Sequence, residues 1–315
     1  MAVREMPGTD LAPLFHVGYH KTGTTFLQKE VFEAYKVFHR VPQREIFWNI
    51  IFPNSLEYKE DNSLAFVQRH VTKADRCDAL PVFSNERLSG GHHTGGHDAL
   101  ELAARIKACA PNARIVFLIR EQKSLLLSLY AQYVKGMGCL SLAEYCDPRY
   151  TTHTKELFNP VTLEFDRLIS EYMRRFHRVL VLPFELLKAD PNHTIMTILD
   201  FAGVSNAERS NISVTGRAAR NVSRSATVQR VDRFFHPFRS CNIPHVGSTY
   251  CNSFSRTFAR SISGLVKNLP LGRLERRLRR KDEAFISKFV ANRYSESNQR
   301  LSEMIDIDLQ SLGYT

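Results

Sequence analysis

The chain has 315 residues, 43% hydrophobic and 24% charged, with 21 Phe and 11 Tyr, enough apolar mass for one large α/β domain and unlike a disordered or collagen-like chain. Its formal net charge is +11, which favours anionic partners: phosphorylated nucleotides, acidic glycans, nucleic acid or an anionic membrane surface. No stretch reaches the ~18 apolar residues of a membrane span, and the six cysteines (Cys77, Cys109, Cys139, Cys146, Cys241, Cys251) show no C-x-x-C pair or zinc-type spacing with His, so they read as reduced thiols of a cytoplasmic protein.

The segment Met1 to Leu14 carries Arg4, Glu5, Asp10 and two prolines, without the apolar run of a signal peptide. The sequons at Asn192, Asn211 and Asn221 are therefore expected to go unused. Leu14 to Gly18 is a short apolar run ending in Gly, a buried first strand. Gly23-Thr24-Thr25 then opens a helix with Phe26, Leu27, Val31 and Phe32 at helical spacing. Ala79 to Ser84 reads as a second strand, followed by a flexible loop rich in Gly and His from Ser89 to Gly96. A helix from about His97 to Cys109 stops at Pro111-Asn112. Arg114 to Ile119 is the strongest strand in the chain, and a helix from about Lys123 to Val134 follows it. The amphipathic helix Leu163 to Phe176 precedes the apolar run Val179 to Leu182.

Strands alternating with helices predict a three-layer α/β fold, with a central parallel sheet and helices on both faces. Ser, Asn and Arg dominate from Ser205 to Ser225 and later segments look helical. The expected organisation is one domain over 1–315, with a core of about 12–203 and a C-terminal helical and loop elaboration over 204–315. In Arg273 to Lys281, Leu271, Leu274 and Leu278 mark one apolar stripe of a strongly basic helix. That helix is either a solvated cationic face or a peripheral contact with an acidic glycan or anionic membrane. No nucleic-acid-binding signature accompanies it.

Gly18 and Gly23 have the spacing of G-x-x-x-x-G-K-[ST], but Thr24 stands where the Lys belongs and Lys21 precedes it. The loop still suits an anion: glycines turn backbone N–H groups inward, and a helix N-terminus and threonine hydroxyls face the phosphate. A Walker Lys and a Ser/Thr–Mg²⁺ pair would serve a triphosphate; the displaced Lys argues against one.

The loop resembles the 5′-phosphosulfate loop of sulfotransferases dependent on 3′-phosphoadenosine 5′-phosphosulfate (PAPS), whose pattern is aromatic-x-Lys-[ST]-Gly-Thr-Thr-aromatic. Here that is Tyr19, Lys21, Thr22, Gly23, Thr24, Thr25 and Phe26, with His20 in place of the usual Pro. The resemblance extends from about Leu14 to Gly203 and is closest to bacterial soluble members. It includes Leu182-Pro183-Phe184-Glu185-Leu186-Leu187, Asp190-Pro191 and a helix ending in Phe201-Ala202-Gly203. It implies a P-loop-like fold, PAPS as co-substrate, 3′,5′-adenosine bisphosphate (PAP) as product and no required metal. It also implies that Arg120, at a strand end, and Ser128, eight residues on, hold the 3′-phosphate. The third, basic loop of the family, usually Arg-Lys-Gly, has only Arg217, Arg220, Asn221 and Ser223 as candidates.

Sulfuryl transfer needs stabilisation of the leaving phosphate, for which Lys21 is placed, and a base for the acceptor hydroxyl. The family uses His or Glu. Glu86, after the second strand, stands at that position; its alternative reading is a salt bridge with Arg87. His92 and His93 are alternative bases, and His20 a candidate contact to the sulfuryl group. The implied function is sulfation of a small-molecule or glycan acceptor, most naturally a carbohydrate or glycolipid, with the acceptor pocket built from variable loops at Phe38 to Ala79 and Leu140 to Asn159. Two alternatives remain open from sequence: a P-loop nucleotide kinase or NTPase, and a non-catalytic nucleotide-binding protein docking to anionic surfaces.

Overall fold

Runs of branched and aromatic residues lay down a parallel sheet whose loops converge at one edge. The computed structural model describes residues 12–136, 138–147, 151–152, 155–156, 158–205, 212, 227, 229–230, 233 and 272–315. The strands are β1 (Leu14–His16), β2 (Phe38–Arg40), β3 (Leu80–Ser84), β4 (Arg114–Ile119) and β7 (Arg178–Pro183), in the order β2-β3-β1-β4-β7. All four pairings are parallel. A separate antiparallel pair joins β5 (Thr151–Thr152) to β6 (Lys155–Glu156).

Period-two alternation splits the core into two faces. Ile115, Phe117 and Ile119 of β4 enter one apolar cluster. Val116 and Leu118 enter the other. The first cluster gathers α3 (Glu60–Asp75), α4 (Ala99–Cys109), α5 (Gln122–Lys135) and α7 (Phe165–Arg175). It also takes Ile286, Val290, Tyr294, Leu301 and Tyr314 from the C-terminal part. The second lies under α1 (Thr24–Phe26, widening into a π-helical stretch Leu27–Phe32), α8 (Phe184–Ala189) and α9 (Pro191–Ala202).

The expected strands and helices are present, with ends shifted by a few residues. Helix α4 starts at Ala99 rather than His97, because the Asp98 carboxylate is taken by the Gly91 N–H (3.0 Å) and the Arg87 guanidinium (2.7 Å). The segment from Phe38 to Ala79 is not a loop. It contains β2, α2 (Gln43–Ile46, continued by a π-helical stretch Phe47–Ile51) and α3, whose Phe66, Val67, His70, Val71 and Ala74 are buried on one face. Leu140 to Asn159 likewise holds α6 (Leu142–Cys146), closed by a Ser141–Glu144 capping box, besides β5 and β6.

Two helices close the described chain, α10 (Gly272–Val290) and α11 (Ser295–Ile305). The anticipated leucine stripe of α10 does not anchor it: Leu274 is 42% exposed, whereas Ile286 and Val290 are buried further along. Leu271 lies outside the described residues. Among the described residues no helix is long and apolar enough to cross a membrane.

Candidate active site

In the order β2-β3-β1-β4-β7 the connection after β1 runs toward the β2 edge and the connection after β4 toward β7, so the direction reverses between β1 and β4. Parallel sheets open a crevice at such a point, beyond the carboxyl ends of the strands. The loops after β1, β3 and β4 carry Lys21, Glu86 and Arg120.

The loop after β1 is shaped by its two glycines. A Cβ on Gly18 would lie 2.7 Å from Thr24 Oγ1, and Gly23 has φ 90° beside Phe184 and Leu187 of α8. Lys21 also takes a left-handed backbone, φ 66°. Thr22 is buried and donates its hydroxyl to the Tyr19 carbonyl (2.6 Å). Thr24 Oγ1 is buried without a partner, the state expected of a hydroxyl reserved for a bound anion. Thr25 is exposed at the loop's surface. Phe26 is buried in the second apolar cluster, where it packs the loop to the sheet. The Lys21 ammonium is held below its ordinary pKa by partial burial and then by Lys135 and Arg120, while Glu86 opposes the shift.

Arg120 joins the second strand end to this loop. Its Nε donates to Ser124 Oγ (2.9 Å), and its NH1 donates to the Lys21 carbonyl (3.0 Å). Its guanidinium lies 5.2 Å from the Phe184 ring centroid. The hydroxyl holding Arg120 is thus on Ser124, one turn into α5. Ser128 follows one turn later and is half-buried. The Glu121 carboxylate caps α5 by accepting from the Lys123 and Ser124 amides (2.7 and 2.9 Å).

Three further residues complete this corner: Ser124, Glu185 and Tyr314. Glu185 accepts the Glu121 amide (3.1 Å) and the Tyr314 hydroxyl (2.9 Å). Burial raises the Glu185 pKa, while the Glu121 amide, the Tyr314 hydroxyl and Arg120 act against the rise. Glu185 stood in the sequence segment typical of the resemblance, which pointed to the region but not to the contact. Nothing in the sequence joined Tyr314 to Arg120 across more than half of the chain.

Glu86 opens a 3₁₀ turn, Glu86–Ser89, after β3. Its Oε2 accepts from Gln43 Nε2 (3.2 Å). The alternative salt bridge to Arg87 is absent, since Arg87 pairs with Asp98 at 2.7 Å. Asn85 fixes the turn by accepting the Arg87 amide (2.9 Å) and donating to the Gln43 carbonyl (3.3 Å).

The histidines depart from expectation. His92–Thr94 forms a second 3₁₀ turn, tied by Thr94 and Gly96 amides to the Gly91 carbonyl, both at 2.9 Å. His92 is 2% exposed, so the Ser89 to Gly96 segment is not a flexible loop at this residue; His20, in the phosphate loop, is 9% exposed. Their rings meet edge to face at 4.8 Å. Burial pushes His20 down to about 2, with His92, His93, Arg87 and Lys21 adding to it. Burial also pushes His92 down to about 3 and His93 to about 4. The Nε2 atoms of His20, His92 and His93 are buried without partners. His93 Nδ1 lies 3.2 Å from the Tyr145 hydroxyl, inside an aromatic wall of Tyr130, Tyr133, Tyr145 and Phe158.

The third-loop candidates Arg217, Arg220, Asn221 and Ser223 lie outside the described residues. Among the described residues, no group of three His, Cys, Asp or Glu side chains is arranged to hold a metal ion.

A family model described as a sulfotransferase domain matches residues 12–234. No curated protein matches the sequence. Among solved structures, the crystal structure of a sulfotransferase from Alicyclobacillus acidocaldarius matches with TM-score 0.53 and 16% identity, over 95% of this chain and 98% of that one; it shares the fold. The sulfotransferase domain of the Synechococcus PCC 7002 olefin synthase (TM-score 0.37, 13% identity, 84% and 98% coverage) and a mouse sulfotransferase complexed with PAP (0.36, 13%, 85% and 90%) overlap too loosely to carry an argument.

Proposed function

The chain belongs to the sulfotransferase family, and from that membership we propose that it transfers the sulfuryl group of PAPS to a hydroxyl of a carbohydrate or glycolipid. One observation carries the reading. Lys21, Glu86 and Arg120 stand at the ends of three adjacent strands, and Arg120 grips the Lys21 carbonyl at 3.0 Å.

The chemistry follows from the groups present. The acceptor oxygen attacks sulfur in line, and the bond from sulfur to the 5′-phosphate oxygen breaks. The acceptor proton passes to Glu86, and the electron pair leaves on the phosphate of PAP. The Lys21 ammonium offsets that growing charge, and the unpartnered Thr24 hydroxyl suits a donor to the same oxygens. Arg120, braced by Ser124, takes the 3′-phosphate with a planar fork. Glu86 is preferred as base over His92 and His93 because its carboxylate acts directly on Lys21 at the end of β3, whereas His92 is buried within its own turn. Cys77, Cys109 and Cys146 are free thiols, which suits the cytoplasmic setting expected from the sequence.

A nucleotide kinase would need a Lys where Thr24 stands. Thermal melting separates the readings: PAP without Mg²⁺ raises the melting temperature, and ATP with Mg²⁺ raises it less. Equal or reversed shifts would remove the PAPS reading.

A further inference from the structure

Helix α10 presents two unlike faces. Arg273, Arg276, Arg277, Arg280, Lys281 and Lys288 fall at i, i+3, i+4, i+7, i+8 and i+15, one side of an α-helix. All six are exposed. At a rise of 1.5 Å per residue they form a row about 22 Å long. Among the described residues none of the six has an ion pair. The helix's carboxylates are engaged elsewhere: Glu275 accepts from the Thr227 amide and hydroxyl (2.9 and 2.8 Å), Asp282 binds Arg230 (2.7 and 3.1 Å), and Glu283 pairs with Arg279 (2.9 Å) off the row. Nothing described neutralises this face.

The opposite face is spent on the protein. Ile286 and Val290 are buried in the core, and α10 lies against α5. Arg233 reaches from the same region to the Tyr130 hydroxyl of α5 (3.2 Å). Further along α5, exposed Lys135 stands close enough to Lys21 to depress its pKa. Helix α5, against which α10 packs, thus carries Tyr130 held by Arg233 and ends in Lys135 near the reacting lysine.

We propose that the outer face of α10 docks a linear acidic polysaccharide and that this chain is the acceptor, which rests on the sulfotransferase reading. A bilayer is the poorer occupant. The row itself contains no large apolar side chain, and Ile286 and Val290, the buried apolar residues of the helix, are turned into the core rather than toward lipid. A linear polyanion lies along a straight row of cations and engages more of them as it lengthens, so affinity rises with its length.

The test uses the full chain and its R276E/R277E/R280E variant, three substitutions on exposed positions. The probes are a long oligogalacturonate, digalacturonate, a neutral glucan, and vesicles of phosphatidylserine with phosphatidylcholine. The expected result is binding of the long oligogalacturonate, weakened about tenfold or more in the variant. Digalacturonate and glucan bind weakly to both proteins, and PAP raises the melting temperature of both equally. Unchanged affinity in the variant, equal affinity for digalacturonate, or tighter binding to the vesicles than to the oligogalacturonate overturns the docking proposal. Loss of the PAP shift in both proteins, with docking intact, instead removes the sulfotransferase reading and leaves the polyanion row standing.

Discussion

Lys21 occupies a left-handed backbone position, φ 66°, that non-glycine residues rarely adopt and that costs on the order of 1 kcal/mol. The Arg120 hydrogen bond to its carbonyl helps hold that conformation, so the two residues act together while doing different chemistry. Lys21→Ala is expected to lower kcat by about 10²–10³, the cost of losing one charge-stabilising donor. Glu86→Gln keeps the Gln43 contact sterically but removes the base, and lowers kcat by about 10²–10⁴. Arg120→Ala should act mainly on binding, weakening PAP by about tenfold or more. Steady-state kinetics and PAP titration check all three; near-normal turnover in Glu86→Gln would return the role of base to His93. Lys21, Glu86 and Arg120 could be read from the sequence because each follows an apolar run, and parallel strands place their following loops at one edge. Ser124 could not, because its hold on Arg120 depends on how the guanidinium bends onto the first turn of α5; it stands beside the expected phosphate ligand Ser128 rather than in its place. The burial of His92 was equally hidden: a Gly-rich stretch looks mobile until Asp98 is seen binding it at both Gly91 and Arg87.

At the scale of elements, the second phosphate corner is assembled by three segments distant in sequence: the start of α5, the start of α8 and the chain around Tyr314. Glu185 spans them, accepting from the Glu121 amide and the Tyr314 hydroxyl. Removing that hydroxyl leaves a half-buried carboxylate beside Arg120 short of one donor. Tyr314→Phe is therefore expected to cost about 2 kcal/mol of stability. It should also weaken PAP several-fold, with kcat at saturating PAPS little changed. Denaturant unfolding and PAP titration on the same variant decide it; lost stability with unchanged PAP affinity would make Tyr314 a purely structural residue. The helices α4, α5 and α7 were legible from the sequence pattern itself, and α9 from the segment Asp190 to Gly203 that carries the family resemblance. β2 was not, since three residues containing His39 and Arg40 carry no strand pattern alone and pair only because β3 lies alongside. That helices beyond residue 272 share a core with β4 was also illegible, because it depends on packing between segments more than half the chain apart.

Across the whole molecule, the site concentrates buried neutral imidazoles in a chain of net charge +11. Beside His20, His92 and His93 lies His16, which donates to or accepts from Ser84 Oγ at 2.8 Å under the loop and which burial pushes down to about 4. Each of the four titrates near 6.5 when unfolded and far lower when folded. Between those values the unfolded chain binds the proton that the folded chain refuses. Their contribution to stability is thus complete above pH 6.5 and is lost as pH falls toward 4, by up to about 1.4 kcal/mol per pH unit for each histidine. The folded protein is expected to weaken steeply between pH 6 and about 4.5. Denaturant unfolding across that range measures the slope, and His93→Gln, which removes one titrating imidazole at a half-buried position, should flatten it by about 1.4 kcal/mol per unit. A dianionic ligand beside these rings favours their charged forms, so PAP should protect most where the free protein is failing. A slope unchanged in His93→Gln would falsify the assignment of acid lability to this cluster and return it to carboxylates such as Asp98, whose pKa is lowered by the Gly91 amide and Arg87 against its burial.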